Sequence, residues 1–382
     1  MVGTRFEFAT AGRIVFGEGT ARSVAAESRA MGRRPMLVTG RSADRAAWLR
    51  EELDCVPFAF AGEPTVEAAR AGARLAREAG CDVVIAVGGG SPIDGAKAIA
   101  ALAANSGEPL DYLEVVGRGE TLQHPSLPFI AVPTTAGTGA EVTRNSVLHS
   151  SEHGVKASLR SPMMLPRLAV VDPELTYDLP PSVTASTGLD ALTQLIEPFV
   201  SMRANPLIDG LCVDGIRRAA VALPRAWDDP RDREARREMA LVALSGGLAL
   251  ANAGLGVVHG FAAPIGGAWT VAHGAVCAAV LPHGMEANLR ALRSRSPAHP
   301  AVGKYDMIAR LLTGRDNARA EDGIDWVRQT CQKLRIPRLR EYGITAADVP
   351  AIVQKAAQAS SMKANPIVLA AEELATVAEP AV

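Results

Sequence analysis

Residues 82–87, Asp-Val-Val-Ile-Ala-Val, form a continuous, mostly β-branched run that passes without a break into Gly88-Gly-Gly-Ser-Pro-Ile-Asp-Gly-Ala-Lys. Such a run suits a strand covered on both faces, as in the middle of a parallel sheet. Pro92 stands at a first-turn position and an Ala/Ile pattern continues through Leu102, so the strand leads into a helix. Backbone N–H groups at a strand-to-helix turn of this kind suit a pyrophosphate. The loop is neither a GxGxxG nor a Walker A sequence, and three glycines alone would equally serve as a tight turn.

The stretches around this run repeat the alternation. Arg13-Ile-Val-Phe-Gly reads as a short strand ended by glycine, and Pro35-Met-Leu-Val-Thr-Gly as a second, followed by a helical pattern over 43–53. Val56-Pro-Phe-Ala-Phe suits a third strand, and 65–79 a helix with Thr65 as N-cap and Gly80 just past its end. Leu127-Pro-Phe-Ile-Ala-Val-Pro is the next strand, leading into Thr134-Thr-Ala-Gly-Thr-Gly, and Leu168-Ala-Val-Val-Asp-Pro closes this half. The order implies a parallel, doubly wound sheet. Two polar, glycine-rich turns at the carboxyl ends of parallel strands define a ligand crevice, and a dinucleotide is the leading ligand. The strand at 35–39 ends in Gly40-Arg-Ser, with no carboxylate where NAD-binding sheets usually hold the ribose. Arg41 and Ser42 suit a 2′-phosphate, although Arg41 would equally be a surface residue.

After Pro181 strand-like runs give way to Ala-rich helical periodicity over 183–200, 207–223, 232–251, 276–292, 305–312, 323–334 and 347–359, with a solvated loop at 293–300. The boundary falls in Leu179-Pro-Pro-Ser, giving domains 1–181 and 182–382. The length of 382 residues fits two domains. In the second, Asp190 and Gln194 lie one helical turn apart in an apolar pattern, and His259-Gly and His273-Gly follow in Gly- and Ala-rich surroundings. One carboxylate and two imidazoles suit Zn²⁺ or Fe²⁺. The alternative is an ordinary helix residue and two unrelated histidines.

Composition narrows the function classes. Forty basic residues against 41 acidic ones leave a formal charge of −1, which gives no electrostatic case for nucleic acid or an anionic membrane. No uncharged apolar run reaches membrane-spanning length, and Met-Val-Gly-Thr-Arg-Phe-Glu-Phe lacks a signal-peptide apolar region. The five cysteines, Cys55, Cys81, Cys212, Cys277 and Cys331, are scattered and form no CxxC pair, so they read as buried free thiols in a reducing cytosol.

Together these residues resemble the iron-containing, group III alcohol dehydrogenases. That family carries a GGGSxxDxxK loop, a PTTxGTGxE turn, a DPxL segment, a GxDAxxH helix and two later His-Gly motifs. Here they stand at 88–97, 133–141, 172–175, 188–194, His259-Gly and His273-Gly. The start at 13–17 and Met362-Lys-Ala-Asn-Pro also match, so the resemblance covers nearly the whole chain. It implies a dehydroquinate synthase-like fold: an N-terminal Rossmann-like α/β domain with a parallel sheet, which binds NAD(P), an all-helical C-terminal metal domain, and the cleft between them. It further implies that Gly89, Gly90, Ser91, Asp94, Thr134, Thr135, Thr138 and Lys156 line the cofactor site. The metal ligands it implies are Asp190, Gln194, His259 and His273.

Two positions depart from the family. Gln194 replaces a ligand histidine, and an amide oxygen is a poor ligand for Fe²⁺ or Zn²⁺ beside imidazole. Ala263 replaces the proton-relay histidine, so the proton would come from water, the ribose hydroxyls or solvent. The expectation is a cytosolic, homodimeric NAD(P)-dependent oxidoreductase that interconverts an alcohol with an aldehyde or ketone. NADP(H) would bind at least as well as NAD(H), and a divalent metal on Asp190, His259 and His273 would act as Lewis acid. A maleylacetate reductase-like activity, a dehydroquinate synthase-type lyase, and a metal-free binding protein are the alternatives.

Overall fold

A computed structural model describes residues 5–382, so Met1 to Thr4 of the N-terminal stretch read above lie outside the described residues. The chain divides into two compact units, Ala9–Tyr177 and Asp178–Val382, the second joined by the described residues up to Phe8. The division falls between Tyr177 and Asp178, and the described residues up to Phe8 group with the helical unit rather than with the sheet.

The first unit is built on six parallel strands: β1 (Ile14–Phe16), β2 (Pro35–Thr39), β3 (Val56–Ala59), β4 (Val83–Gly88), β5 (Phe129–Pro133) and, after a hairpin of β6 (Asn145–Ser150) and β7 (Val155–Arg160), β8 (Leu168–Val171). Their order across the sheet is β1-β8-β5-β4-β2-β3. Every residue of β2, β4, β5 and β8 is buried, as their unbroken apolar sequences require, whereas the edge strands β1 and β3 are only partly covered.

Alternation along these strands sends side chains to two cores. Val84, Ala86, Phe129 and Ala131 pack with Met36, Val38, Ile93 and Ile99 on one face. Ile85, Val87, Ile130 and Val132 pack with Val24, Leu37 and Leu49 on the other. The helix Val66–Glu78 begins at Thr65, whose Oγ1 accepts from Ala68 N at 3.1 Å, and is followed by Gly80 at φ +67°. Helix Gly90–Ala104 starts directly behind β4.

The antiparallel β6–β7 hairpin leaves no strand signal in the sequence. Its inward-facing residues on β6 are Ser146, Leu148 and Ser150, and two serines among three positions erase the apolar alternation that marks a half-buried strand.

The second unit is helical. Pro181–Val200 is almost entirely buried over its last turns and packs against Pro206–Asp228, Arg233–Ala253 and His273–Arg295. Pro300–Thr313, Ala320–Lys333 and Val349–Ala357 agree with the periodicity. Two helices are additions, Val257–Ala268 and Ala371–Ala378. The first carries Gly260, Pro264, Gly266 and Gly267, residues that weaken an isolated helix, so packing rather than propensity forms it. His273–Arg295 starts before 276 and continues into the stretch read as a loop, which is confined to residues 296–299.

No single helix among the described residues is long and apolar enough to cross a membrane; Arg233–Ala253 and Val257–Ala268 pass that test only as a pair bent by 99°. All five cysteines are free, but Cys55 and Cys331 are only partly buried.

Candidate metal centre and cofactor turns

β2, β4 and β5 are neighbours in the sheet, so the turns at their carboxyl ends are brought to one place. Those turns carry Gly40, Arg41 and Ser42, then Gly89, Gly90 and Ser91, then Thr134, Thr135 and Thr138. Thr134 N donates to Gly88 O at 2.9 Å, which ties the second turn to the third. A Cβ on Gly90 would stand 2.8 Å from Thr138 Cγ2, and one on Gly89 would stand 3.3 Å from the Thr135 side chain. Gly89 has φ −76°, a value open to any residue, so close approach and not backbone conformation calls for glycine there. The helix behind it has no side-chain N-cap, which leaves first-turn N–H groups for an anion.

Three other sequence candidates are already engaged. Asp94 accepts from Lys97 Nζ at 3.2 Å and from Val147 N at 3.1 Å, joining helix to hairpin. Lys156 stands on β7 with Nζ 2.6 Å from Glu63 Oε1. Arg41 Nε donates to Ala61 O at 3.0 Å. Lys97, which sequence reasoning left without a role, is fully buried and also donates to Thr143 Oγ1 and Asn145 O, both at 2.8 Å.

The helical unit brings together Asp190, His259 and His273. Nε2 of His259 is 3.4 Å from Asp190 Oδ1, and Nε2 of His273 is 3.8 Å from the same oxygen. Three helices meet to do this. Gly274 permits one of the approaches: a Cβ there would lie 2.3 Å from Ser186 O and 3.3 Å from Asp190 Cβ. His273–Arg295 can therefore lie against the backbone of Pro181–Val200 only because the residue after His273 has no side chain.

Two further residues complete the cluster. Glu197 Oε2 is 2.6 Å from His259 Nδ1, while its Oε1 accepts from Val258 N at 2.7 Å. Cys277 Sγ is 3.6 Å from His273 Nε2, and the ligand atoms of Asp190, His259, His273 and Cys277 all lie within 4.8 Å of one another. The sequence offered a signal for each. Glu197 stands seven residues after Asp190 on one helix face, and Cys277 four after His273.

Among the described residues, Asp190 Oδ1, His259 Nε2 and Gln194 Oε1 are buried atoms with no hydrogen-bond partner. Buried polar groups are rarely left so, because the loss of hydration is uncompensated. The charges point the same way. Burial opposes ionisation of Asp190, but the charge of His273 and the approach of His259 outweigh it and hold its pKa down. His259 is pushed well above the ordinary imidazole range: burial opposes this, but Cys277, Glu197 and Asp190 prevail. His273, whose side chain is partly exposed, is raised by Cys277 beside it, against partial desolvation, with Asp190 adding to it. The cluster is thus short of positive charge, and the donor set of carboxylate, imidazoles and sulfur fits a divalent transition metal.

The chain matches the models of iron-containing alcohol dehydrogenase over residues 11–173 and of the C-terminal region of the Fe-containing alcohol dehydrogenase family over 184–382. It is 37% identical to alcohol dehydrogenase 4 of Schizosaccharomyces pombe, over 85% of this chain and 75% of that protein. It is 36% identical to 4-hydroxybutyrate dehydrogenase of Cupriavidus necator, over 87% and 88%. Among solved structures, a 1,3-propanediol oxidoreductase superposes with a TM-score of 0.90 at 31% identity, over 99% of this chain and 100% of that one. A sulfoacetaldehyde reductase from Bifidobacterium kashiwanohense in complex with NAD+ superposes at 0.86 with 29% identity, over 99% and 98%. The chain belongs to the iron-containing alcohol dehydrogenase family and is an alcohol–aldehyde oxidoreductase.

Proposed function

We propose that the protein is a metal-assisted, NAD(P)-dependent dehydrogenase in which Asp190, His259 and His273 hold a divalent ion and the turns at Gly40, Gly89–Ser91 and Thr134–Thr138 hold the dinucleotide. The observation that carries this reading is the convergence of two buried donor atoms without hydrogen-bond partners, Asp190 Oδ1 and His259 Nε2, 3.4 Å apart. When bound, the metal supplies Lewis-acid polarisation of the substrate oxygen, and the nicotinamide supplies or takes the hydride.

The chain's own residues do the rest. Glu197 accepts from His259 Nδ1, which orients the ring so that Nε2 faces Asp190. Ala263 offers no proton-transferring group, so no side chain at that position moves the alcohol proton. At the dinucleotide end, Gly40 brings no acidic clamp to the ribose, and exposed Arg41 supports acceptance of a 2′-phosphate, hence NADP(H) at least as well as NAD(H). The unpaired cysteines support a cytosolic location, and the family resemblance supports a homodimer.

Metal analysis of the purified protein, paired with aldehyde reduction assayed before and after exhaustive chelation, tests the central claim. Metal bound to the protein and activity restored by Fe²⁺ or Zn²⁺ are expected. Full activity in a protein from which all metal has been stripped would refute it.

A further inference from the structure

The family's fourth ligand position holds Gln194, a neutral amide, and a buried dication facing only Asp190 and two imidazoles keeps a net positive charge. The structure places another donor on a second helix. Cys277 follows His273 by one helical turn, so both project from the same face of His273–Arg295. Its side chain is completely buried, and its Sγ lies 3.6 Å from His273 Nε2 within the same 4.8 Å cluster as Asp190 and His259. We infer that Cys277, not Gln194, supplies the fourth protein ligand, making this an Asp-His-His-Cys site.

Three features carry this inference, which rests on the metal-dependent reading above. The first is geometry. Two helices each present an i, i+4 pair, Asp190 with Gln194 and His273 with Cys277, and the Cys277 sulfur lies within 4.8 Å of the ligand atoms of Asp190, His259 and His273. Gln194 Oε1 lies 3.2 Å from where a Cβ on Gly246 would stand, against the helix Arg233–Ala253. The second is charge. On binding, the Cys277 thiol releases its proton to solvent, and the thiolate with the Asp190 carboxylate balances a dication. The third is hardness. Thiolate is a soft donor that favours Zn²⁺ and discriminates against Mg²⁺ and Ca²⁺, whereas an amide oxygen favours the hard ions. Cys277 thus turns an incomplete histidine site into a complete one of different selectivity.

Cobalt is the probe, because thiolate coordination to Co²⁺ adds an intense sulfur-to-metal charge-transfer band in the near ultraviolet that carboxylate, imidazole and amide ligands do not produce. The full-length protein, stripped by chelation, is titrated with Co²⁺ alone. One equivalent bound with that band is expected. Cys277→Ser should abolish the band and weaken Co²⁺ at least about tenfold, and Gln194→Ala should keep the band. Cys277→Ala, with circular dichroism on each variant, separates ligand loss from misfolding. Cobalt bound to the unaltered protein without the band, or a band that persists in both folded Cys277 variants, overturns the assignment while leaving the metal reading intact. No cobalt bound at all overturns both.

Discussion

Glu197 Oε2 stands 2.6 Å from His259 Nδ1, while the other ring nitrogen, Nε2, stands 3.4 Å from Asp190 Oδ1. One imidazole is therefore held between two carboxylates that come from the same helix, Pro181–Val200, and are two turns apart on it. Glu197 orients the ring, and Asp190 faces its other nitrogen.

Glu197→Gln should keep the shape of this arrangement but lose the charge that fixes the His259 tautomer. Metal affinity should fall about ten- to a hundredfold, as is usual when the group behind a ligand histidine is changed. Competitive chelator titration of the folded variant measures this. Affinity unchanged within error would mean that His259 is oriented by packing alone.

Gly274→Ala tests the helix approach. The added methyl would meet Ser186 O at 2.3 Å, so the two helices must separate. Overpacking of this kind costs about 1–3 kcal/mol. Both a lower unfolding midpoint in urea and weaker metal binding are expected, since the shift moves His273 away from Asp190. A variant as stable as the parent, with metal affinity intact, would show that the contact relaxes freely.

Glu141 sets a pH dependence for the sheet-bearing unit. Burial raises its pKa from 4.5 to about 7, with Lys97 pulling the other way. The folded state therefore holds the proton more tightly than the unfolded chain does. That contribution is fully present below about pH 4.5 and is lost as pH rises through about 7, and it amounts to about 3 kcal/mol at most. Glu141→Gln, which stays neutral, should be favoured over the parent increasingly between pH 4.5 and about pH 7, and by a constant margin above that, in denaturant melts. A stability difference that does not change with pH would contradict this.

Gly40→Asp should turn the cofactor preference toward NAD(H). A Cβ at Gly40 would have its nearest neighbour, Pro92 Cγ, at 3.5 Å, an ordinary contact, so the carboxylate can be accommodated where ribose hydroxyls are usually held. Fluorescence titrations with NADH and NADPH read the ratio directly. A strong NAD(H) preference in the unaltered protein would remove the premise.

What the sequence by itself determined were the features that depend on neighbours along the chain. β4 and the glycine turn behind it were legible because a strand buried on both faces must be apolar at every position, and the helix after it must begin somewhere. Thr65 and Gly80 likewise bracket their helix through bonds and dihedral angles within a few residues. The motif residues Asp190, His259 and His273 could be named as a set because their family resemblance is itself a sequence pattern. Tertiary structure decided the remainder. The β6–β7 hairpin hides its inward face behind serines, and Val257–Ala268 is a helix despite its glycines and Pro264 because its neighbours bury it. Cys277 had the look of any buried thiol until Gly274 let its helix close on Pro181–Val200, bringing a sulfur and a carboxylate from distant parts of the chain into one cluster. That approach is set by which side chains are absent at a crossing, which the pattern along either helix does not record.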